Sequence, residues 1–418
     1  MKINYTLNKS FKKNIYKSKF FYPLLYNPFN KKDLIEGIKV ILSKQITMSN
    51  KTRNFEKLFK KKIKVKNSLM VNSGSSANLL AMQCLINPYR KKRLKKGDEV
   101  LIPALCWSTS LWPIVQSGLK PVFVDINISD LNINLNDLEK KITKKTKAIM
   151  IVHVLSNSTD MDKLMKLKKK YDLIIIEDTC ESLGSKYKKK YLGTFGDFST
   201  FSFYYSHQIT SGEGGMVCCK EKSNYEIMKS LRSHGWSRGL TDEKKISKTF
   251  KKIDSKFIFY NSGFNLRPTD ITAAIGSNQF KRLDKFSAIR SYNRSKIINS
   301  IKKDPRWNNQ IIFIKSRKYI KPSWFGFPFY LNNKLQISKS TFIKRLEKLG
   351  IETRPIISGN FTNQPSAKKY ELIKKNQKFK NADFINDHGL FVGLHTEKIS
   401  NKTLKVFKNS IFMALNNP

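Results

Sequence analysis

The feature that most restricts the fold of this chain is a series of short segments with continuous apolar runs that alternate with segments of helical spacing. The apolar segments are 68–74, 98–105, 120–126, 147–154 and 173–178. Strands that are apolar along their whole length are buried on both faces, as in a parallel sheet covered by helices. The sequence therefore predicts an α/β fold with a mostly parallel sheet, and ligands in such sheets bind at the carboxyl ends of the strands.

The second half of the chain has a different pattern. Apolar spacing predicts one long amphipathic helix over 270–290 that leads out of the sheet region, and a final helix near 402–415. Between them lie short mixed segments such as "FGFPFYL" and "STFIKRLEKLGI". We predict an N-terminal arm of unclear role at 1–30, a large domain at 31–280 and a smaller α+β C-terminal domain at 281–418.

Composition excludes some classes of protein. No apolar run reaches the ~18 residues of a membrane span, and the N-terminus has no secretory signal pattern. The five cysteines have no CxxC spacing, which predicts reduced thiols in a cytoplasmic protein and no metal site. They are Cys84, Cys106, Cys180, Cys218 and Cys219.

The net charge of +49 is large for 418 residues. It is compatible with nucleic-acid binding. However, the lysines are scattered through every segment, which favours a compositional bias and makes a nucleic-acid partner the weaker interpretation. In either case the positive field would attract an anionic substrate.

Polar residues follow several of the predicted strands. Gly74 and Ser75 lie where a strand runs into a helix, a junction that binds phosphate or simply caps the helix. Asp178 ends an apolar strand, where its carboxylate could keep a pyridine ring nitrogen protonated or cap the next helix. Trp107 could stack on a flat ring or pack in the core.

The stretch "FSFYYSHQITSGEGG" (201–215) adds Ser202 and His207 beside a glycine-rich bend. Ser202 is within reach of a second phosphate contact. A lone histidine is more often structural than catalytic, so His207 gains weight only from the residues around it.

Taken together and in this order, the segments resemble a known family. They are "NSGSSANLLA", "GDEVLIPAL", "KPVFVDI", "IIIEDTCESLGSKY", "GTFGDFSTFSF", "GEGGMV" and "GFNLRPTDITAAIG". The resemblance is to the DegT/DnrJ/EryC1/StrS sugar aminotransferases, which use pyridoxal 5'-phosphate (PLP). It covers the chain from about Phe29 and implies PLP-dependent fold type I, the aspartate aminotransferase-like fold.

The resemblance implies four phosphate contacts. Gly74, Ser75 and Ser202 would hold the cofactor phosphate in the same chain. Asn265, the asparagine of "GFN", would reach the phosphate of a neighbouring subunit, so the resemblance also implies a homodimer with shared active sites.

The resemblance also assigns residues to the cofactor ring. Trp107 would stack on the ring and Asp178 would pair with its nitrogen. Glu181 would lie beside the ring hydroxyl or the catalytic histidine. His207 would be the catalytic base, at the position where the aminating members carry the lysine that bonds covalently to the cofactor.

With histidine at this position, the sequence resembles the nucleotide-sugar 3-dehydratase branch of the family. Imidazole cannot form the covalent bond that a lysine amine forms, so pyridoxamine phosphate (PMP) stays free to condense with a sugar ketone. With an ordinary pKa of ~6.5, histidine can take a proton and pass it to a departing hydroxyl. One member of the branch, the CDP-sugar enzyme, binds an iron–sulfur cluster through cysteines after the histidine, but residues 220–265 contain no cysteine. The resemblance is therefore to the cluster-free type that uses glutamate.

The function that follows is removal of the C3 hydroxyl from a nucleotide-linked 4-keto-6-deoxyhexose, with L-glutamate regenerating PMP. This reaction belongs to 3,6-dideoxysugar and lipopolysaccharide O-antigen biosynthesis. Two alternatives stay open: an aminotransferase of the same family, and a non-catalytic binding protein on this fold. The identity of the nucleotide and of the hexose stays open as well.

Overall fold

The computed structural model of the protein describes residues 18–374 and 376–416. The first seventeen residues of the predicted N-terminal arm lie outside this range. The helices are α1 (Lys31–Leu42), α2 (Asn50–Ile63), α3 (Gly74–Ile86), α4 (Ser108–Gln116), α5 (Leu135–Lys140), α6 (Met161–Lys170), α7 (Lys222–Arg232), α8 (Glu243–Thr249), α9 (Asp270–Phe280), α10 (Leu283–Lys302), α11 (Lys339–Lys348), α12 (Pro365–Lys369), α13 (Lys380–His388) and α14 (Asn401–Asn416).

The strands are β1 (Asn67–Val71), β2 (Glu99–Pro103), β3 (Lys120–Val124), β4 (Thr146–Val152), β5 (Ile174–Asp178), β6 (Lys186–Tyr187), β7 (Lys190–Tyr191), β8 (Phe198–Ser202), β9 (Gly215–Cys219), β10 (Ile311–Phe313), β11 (Ile320–Lys321), β12 (Gly326–Leu331), β13 (Thr353–Pro355) and β14 (Gly389–Gly393).

A seven-stranded sheet carries the first half of the fold. Its order is β1-β9-β8-β5-β4-β2-β3, and β9 alone runs antiparallel to its neighbours. The predicted α/β class with a mostly parallel sheet is confirmed. The apolar segments form β1 to β5, whereas β8 was not assigned as a strand from the sequence.

Helices bury the sheet on its two faces. Helix α3 packs tightly against the core, and its residues Ala77, Leu80 and Ala81 are fully buried. It begins at Gly74, where the preceding Ser73 accepts a hydrogen bond from the backbone N–H of Ser76. The helix start is therefore fixed directly after β1, at one edge of the sheet.

The second half of the chain builds a four-stranded antiparallel sheet of order β10-β12-β14-β13. Its core includes Phe327, Phe329, Phe342 and Phe407. Tyr22, from the described part of the N-terminal arm, is buried against this sheet and donates its hydroxyl to the carbonyl of Gly393. The division into domains at residues 280 and 281 stays a prediction.

The single long helix predicted over 270–290 is wrong. Two helices, α9 and α10, replace it, with a break at Lys281 and Arg282. The buried carboxylate of Asp33 accepts hydrogen bonds from the side chains of Gln279 and Arg282, which ties the break to α1. Because Phe280 and Leu283 are both buried, the apolar pattern continues across the break and does not reveal it.

A third, antiparallel sheet has three short strands in the order β11-β6-β7. Within the residues that the structure describes, no helix is both long enough and apolar enough to cross a bilayer.

Candidate active site

Three chain segments meet at one edge of the main sheet: the end of β5, the end of β8 and the start of α3. Gly74 shows how close they are. A Cβ atom added at Gly74 would lie 2.6 Å from the Cβ of Ser202 and 3.0 Å from the Sγ of Cys180. Only glycine fits here, and its small size allows Ser202 to lie against the start of α3.

The start of α3 can receive an anion. The N-terminal turn of a helix presents unpaired N–H groups and a partial positive charge. Ser75 is exposed there, and its hydroxyl contacts Thr109 Oγ1 at 2.9 Å. The Ser76 hydroxyl proton is not available to an anion, because it is donated to Asn72 Oδ1 at 2.6 Å. Ser75 and Ser202 therefore lie at a helix start, a position that favours an anion.

Asp178, at the end of β5, is a buried carboxylate that lacks a positive partner in the described part of the chain. Its Oδ2 accepts hydrogen bonds from Asn78 Nδ2 at 2.8 Å and Ser110 Oγ at 2.7 Å. Its Oδ1 accepts the N–H of Cys180 at 3.1 Å. A buried anion without a cation is costly, so the residues present fit a protonated ring nitrogen from a cofactor.

Glu181 lies three residues further along and is held by an unusual turn. Its Oε2 accepts the N–H of Leu155 at 3.0 Å. Leu155 and Ser156 both have left-handed backbone angles, with φ of 46° and 76°, which side-chain-bearing residues seldom adopt. Burial, together with the nearby charge of Asp178, raises the pKa of Glu181 to about 7.

His207 lies in the segment between β8 and β9 and is half-buried. Its ring meets the ring edges of Phe325, at a centroid distance of 5.1 Å, and Tyr204, at 5.9 Å. Its Nδ1 atom is buried and has no hydrogen-bond partner among the described residues. Burial lowers the pKa of His207 to about 4, although the charge of Asp178 acts in the opposite direction. The imidazole is therefore neutral at pH 7 and able to accept a proton.

The structure places two of the predicted residues at the surface of the single chain. Trp107, directly before α4, is 55% exposed. Asn265 is exposed and accepts a hydrogen bond from Arg267 Nε at 3.0 Å. The geometry therefore groups Gly74 with Ser202, and it leaves Asn265 free to face another molecule.

Sequence reasoning missed several residues of the site. Asn78 and Ser110 orient Asp178, and Gln208 donates its side-chain amide to the backbone carbonyl of Glu181. Asn78 lies one helical turn after Gly74, so it faces the same side of α3, and this spacing was an available signal. No pattern in the sequence marks Ser110 or Gln208, because each contact joins segments far apart in the chain.

His153 and the two adjacent cysteines of β9 are buried. His153 is fully buried, with Nε2 3.0 Å from Glu177 Oε2. Cys218 and Cys219 lie in β9 and are buried.

Comparison with known proteins identifies the class to which this fold and site belong. The model of the DegT/DnrJ/EryC1/StrS aminotransferase family matches residues 29–409. The chain belongs to this family, and the resemblance drawn from the sequence is confirmed.

Individual relatives narrow the comparison. The chain is 36% identical over 376 residues to the GDP-4-keto-6-deoxy-D-mannose 3-dehydratase of Escherichia coli O55:H7, which covers 90% of this chain and 95% of that protein. The solved E. coli GDP-4-keto-6-deoxy-D-mannose-3-dehydratase with bound hydrated PLP is 34% identical, with a TM-score of 0.87 over 94% of this chain and 100% of the other. A second solved GDP-4-keto-6-deoxymannose-3-dehydratase, with a trapped PLP–glutamate geminal diamine, is 34% identical with a TM-score of 0.85 over 93% of this chain and 100% of that one.

Proposed function

We propose that this protein is a PLP- and PMP-dependent enzyme that removes the C3 hydroxyl from a nucleotide-linked 4-keto-6-deoxyhexose. The observation that carries this function is His207, an imidazole at the position where aminating members of the family have a lysine. The chain also has the residues that we propose bind the cofactor. Histidine in place of lysine would therefore change the reaction without removing the groups that hold the cofactor.

The residues at the sheet edge fit the cofactor. Gly74, Ser75 and Ser202 would hold its phosphate at the start of α3, where the helix end favours an anion. Asp178 would pair with the ring nitrogen, which supplies the cation that this buried carboxylate lacks. Trp107 would stack on the ring, and Glu181 would lie near the ring hydroxyl.

When bound, the cofactor supplies an electron sink for the bond changes at C3 of the sugar. The chain supplies the proton transfers. His207 is neutral at pH 7 and accepts a proton from the reacting carbon. Its conjugate acid is strong because burial disfavours the charged ring, so the proton passes readily to the C3 oxygen as that oxygen departs. Burial of the imidazole in the fold is the main cause of this low pKa.

The relatives support the choice of substrates. Their names specify a GDP-4-keto-6-deoxymannose substrate, and the trapped adduct in one solved structure contains glutamate. GDP-4-keto-6-deoxymannose is therefore the first sugar to test, with L-glutamate as the amino donor that regenerates PMP. The reaction places the enzyme in dideoxysugar synthesis for lipopolysaccharide.

The proposal includes a homodimer in the cytoplasm. Asn265 is exposed in the single chain, and the surrounding segment also exposes Phe250, Phe257 and Phe259. Exposed apolar side chains in one region are typical of a contact surface. In the dimer, Asn265 of one copy would complete the phosphate site of the other.

The test is an assay of the purified protein with PLP, L-glutamate and the 4-keto-6-deoxyhexoses linked to CDP, GDP or dTDP. We expect one of the sugars to lose its C3 oxygen and ammonia to be released. Mass spectrometry of the sugar measures the loss of the oxygen. His207→Asn is the matched control: it should bind the cofactor, because the phosphate and ring contacts remain, and should not deoxygenate the sugar.

Two outcomes would contradict the proposal. Transfer of the amino group to the sugar with the C3 oxygen retained would make the protein an aminotransferase. No turnover of any of these sugars, combined with salt-sensitive binding to DNA or RNA, would favour a binding protein that uses the positive charge.

A further inference from the structure

A buried arginine lies behind the segment that carries His207. Arg290, near the middle of α10, has 2% of its surface exposed. Its guanidinium donates to three backbone carbonyls: Nε to Leu394 at 3.0 Å, Nη1 to Gln208 at 3.1 Å and Nη2 to His207 at 3.4 Å. No carboxylate within the described ranges pairs with it.

Such a charge is expensive to bury. A guanidinium removed from water loses its hydration, and the usual compensation is an acidic partner. Burial lowers the pKa of Arg290 to about 10, so the group still carries its positive charge at neutral pH. A neutral side chain of similar shape would avoid this cost, which suggests that the charge itself has a role.

The contacts of Arg290 fix one short piece of backbone. The carbonyls of His207 and Gln208 are adjacent, and the fork of the guanidinium holds both. On its other side, Gln208 donates from its side chain to Ser156 Oγ at 3.2 Å and to the carbonyl of Glu181. The peptide that carries the imidazole is therefore held from two directions.

We propose that Arg290 is a positioning residue for His207: its guanidinium fixes the backbone at 207 and 208 and places an unpaired positive charge beside the segment that carries the imidazole. This inference rests on the proposed function for its catalytic consequence. Its electrostatic part concerns the chain alone and is testable without turnover.

The charged groups that act on His207 come from different elements. Asp178, on β5, favours the protonated ring, whereas Arg290, on α10, opposes it. Tyr204 and Phe325 pack against the imidazole with their rings nearly perpendicular to it.

Other titratable groups lie close to this cluster. Glu181 follows Asp178 on the same side of the sheet, and Cys180 is between them. His395 follows Leu394, so it lies near the same guanidinium, which together with burial holds the pKa of His395 down to about 4.

The chain offers a matched control in Arg294, one turn further along α10. It is also held mainly by a backbone carbonyl, that of Ile314, and its guanidinium lies 4.0 Å from the ring centroid of Trp324. Burial lowers its pKa to about 10 as well. Arg294 has no hydrogen bond to the His207 segment among its described contacts.

The first measurement is an NMR titration of the cofactor-free protein labelled with ¹³C in its histidine rings, with His207→Asn used to assign the signal. In Arg290→Gln the midpoint of His207 should rise by about 0.5–1 pH unit, because a nearby positive charge has been removed. The midpoint of His395 should rise too. Arg290→Lys keeps the charge, and Arg294→Gln leaves the cluster intact, so both should match the wild type.

The second measurement is kcat and KM for the C3 dehydration. Arg290→Lys should lower kcat about tenfold or more with KM nearly unchanged, because a point charge cannot hold both carbonyls and small displacements of a catalytic group are costly. Arg294→Gln should keep the wild-type kcat.

Either measurement can overturn the inference. A His207 midpoint in Arg290→Gln equal to that in Arg294→Gln would remove the electrostatic role. A wild-type kcat in Arg290→Lys would show that Arg290 does not position His207. This variant still tests the inference if Arg290→Gln does not fold. If the wild type turns over no keto sugar, the proposed function fails while the titration still tests the charge.

Discussion

At the scale of single residues, position 207 determines how the protein can hold its cofactor. A lysine there would bond covalently to PLP, whereas His207 can only exchange protons. The identity of this residue was visible in the sequence. Its low pKa was not, because the burial that lowers it comes from Phe325 and other residues far away in the chain.

Glu181 shows the opposite electrostatic effect, and it gives a prediction about stability. Burial and Asp178 raise its pKa to about 7 in the folded protein, against 4.5 for an ordinary glutamate. Below pH 4.5 Glu181 is protonated in both the folded and the unfolded protein, so it does not affect the free energy of unfolding. As the pH rises toward 7, the unfolded chain releases its proton first, so the folded state loses stability relative to a neutral side chain.

Glu181→Gln should therefore gain stability over the wild type as the pH rises from about 4.5 to about 7, by about 3 kcal/mol at the upper end. Glutamine keeps an oxygen that can accept the Leu155 N–H. Urea unfolding of the cofactor-free proteins between pH 4.5 and pH 8 measures the difference. Parallel stability curves for the two proteins would contradict the raised pKa.

At the scale of secondary-structure elements, the sequence predicted most strands because apolar segments mark strands buried on both faces. β8 escaped assignment, since its residues Phe198–Ser202 read FSTFS, which is neither a continuous apolar run nor a strict alternation of apolar and polar residues. The turn at Leu155 and Ser156 was also unpredictable, because local sequence favours neither left-handed residue. Elements with a periodic pattern were predictable, whereas breaks imposed by tertiary contacts were not.

The junction of α1, α9 and α10 gives a prediction at this scale. Asp33 is fully buried and accepts hydrogen bonds from Asn278, Gln279 and Arg282. Asp33→Ala should lower the free energy of unfolding by about 3–5 kcal/mol, because it leaves these donors and one positive charge without their partner.

Glu36→Ala, on the same helix, is the control. Glu36 pairs with Lys39 and Lys51 at the surface, where ion pairs contribute little. Its loss should change the free energy of unfolding by about 0.5 kcal/mol or less. Equal effects of the two substitutions in urea unfolding would show that Asp33 does not tie the three helices together.

At the scale of the whole molecule, the fold class, the family and the edge of the sheet that carries the site were predictable. The arrangement of subunits is a prediction still, and Asn265 is its most specific residue. If Asn265 completes the site of the other copy, His207 and Asn265 of one active site come from different chains.

Two inactive variants should then complement each other. His207→Asn lacks the base, and Asn265→Asp would place a carboxylate near the cofactor phosphate and repel it. Random mixing of the two chains should restore about a quarter of the wild-type activity, because half of the molecules are mixed dimers and each has one intact site. Dehydration assays of co-refolded chains give the measurement. No recovery, with mixed dimers shown to be present, would mean that Asn265 acts within its own chain or has no role at the site.

The most direct test of the central claim is borohydride reduction of the protein loaded with PLP and freed of excess cofactor by gel filtration. Peptide mass spectrometry then locates any pyridoxyl group. We predict no stoichiometric adduct in the wild type and one at position 207 in His207→Lys, since only that variant places a primary amine there. A stoichiometric adduct on any lysine of the wild type would contradict the account, because the resting enzyme would then hold its cofactor by the covalent bond that His207 cannot form.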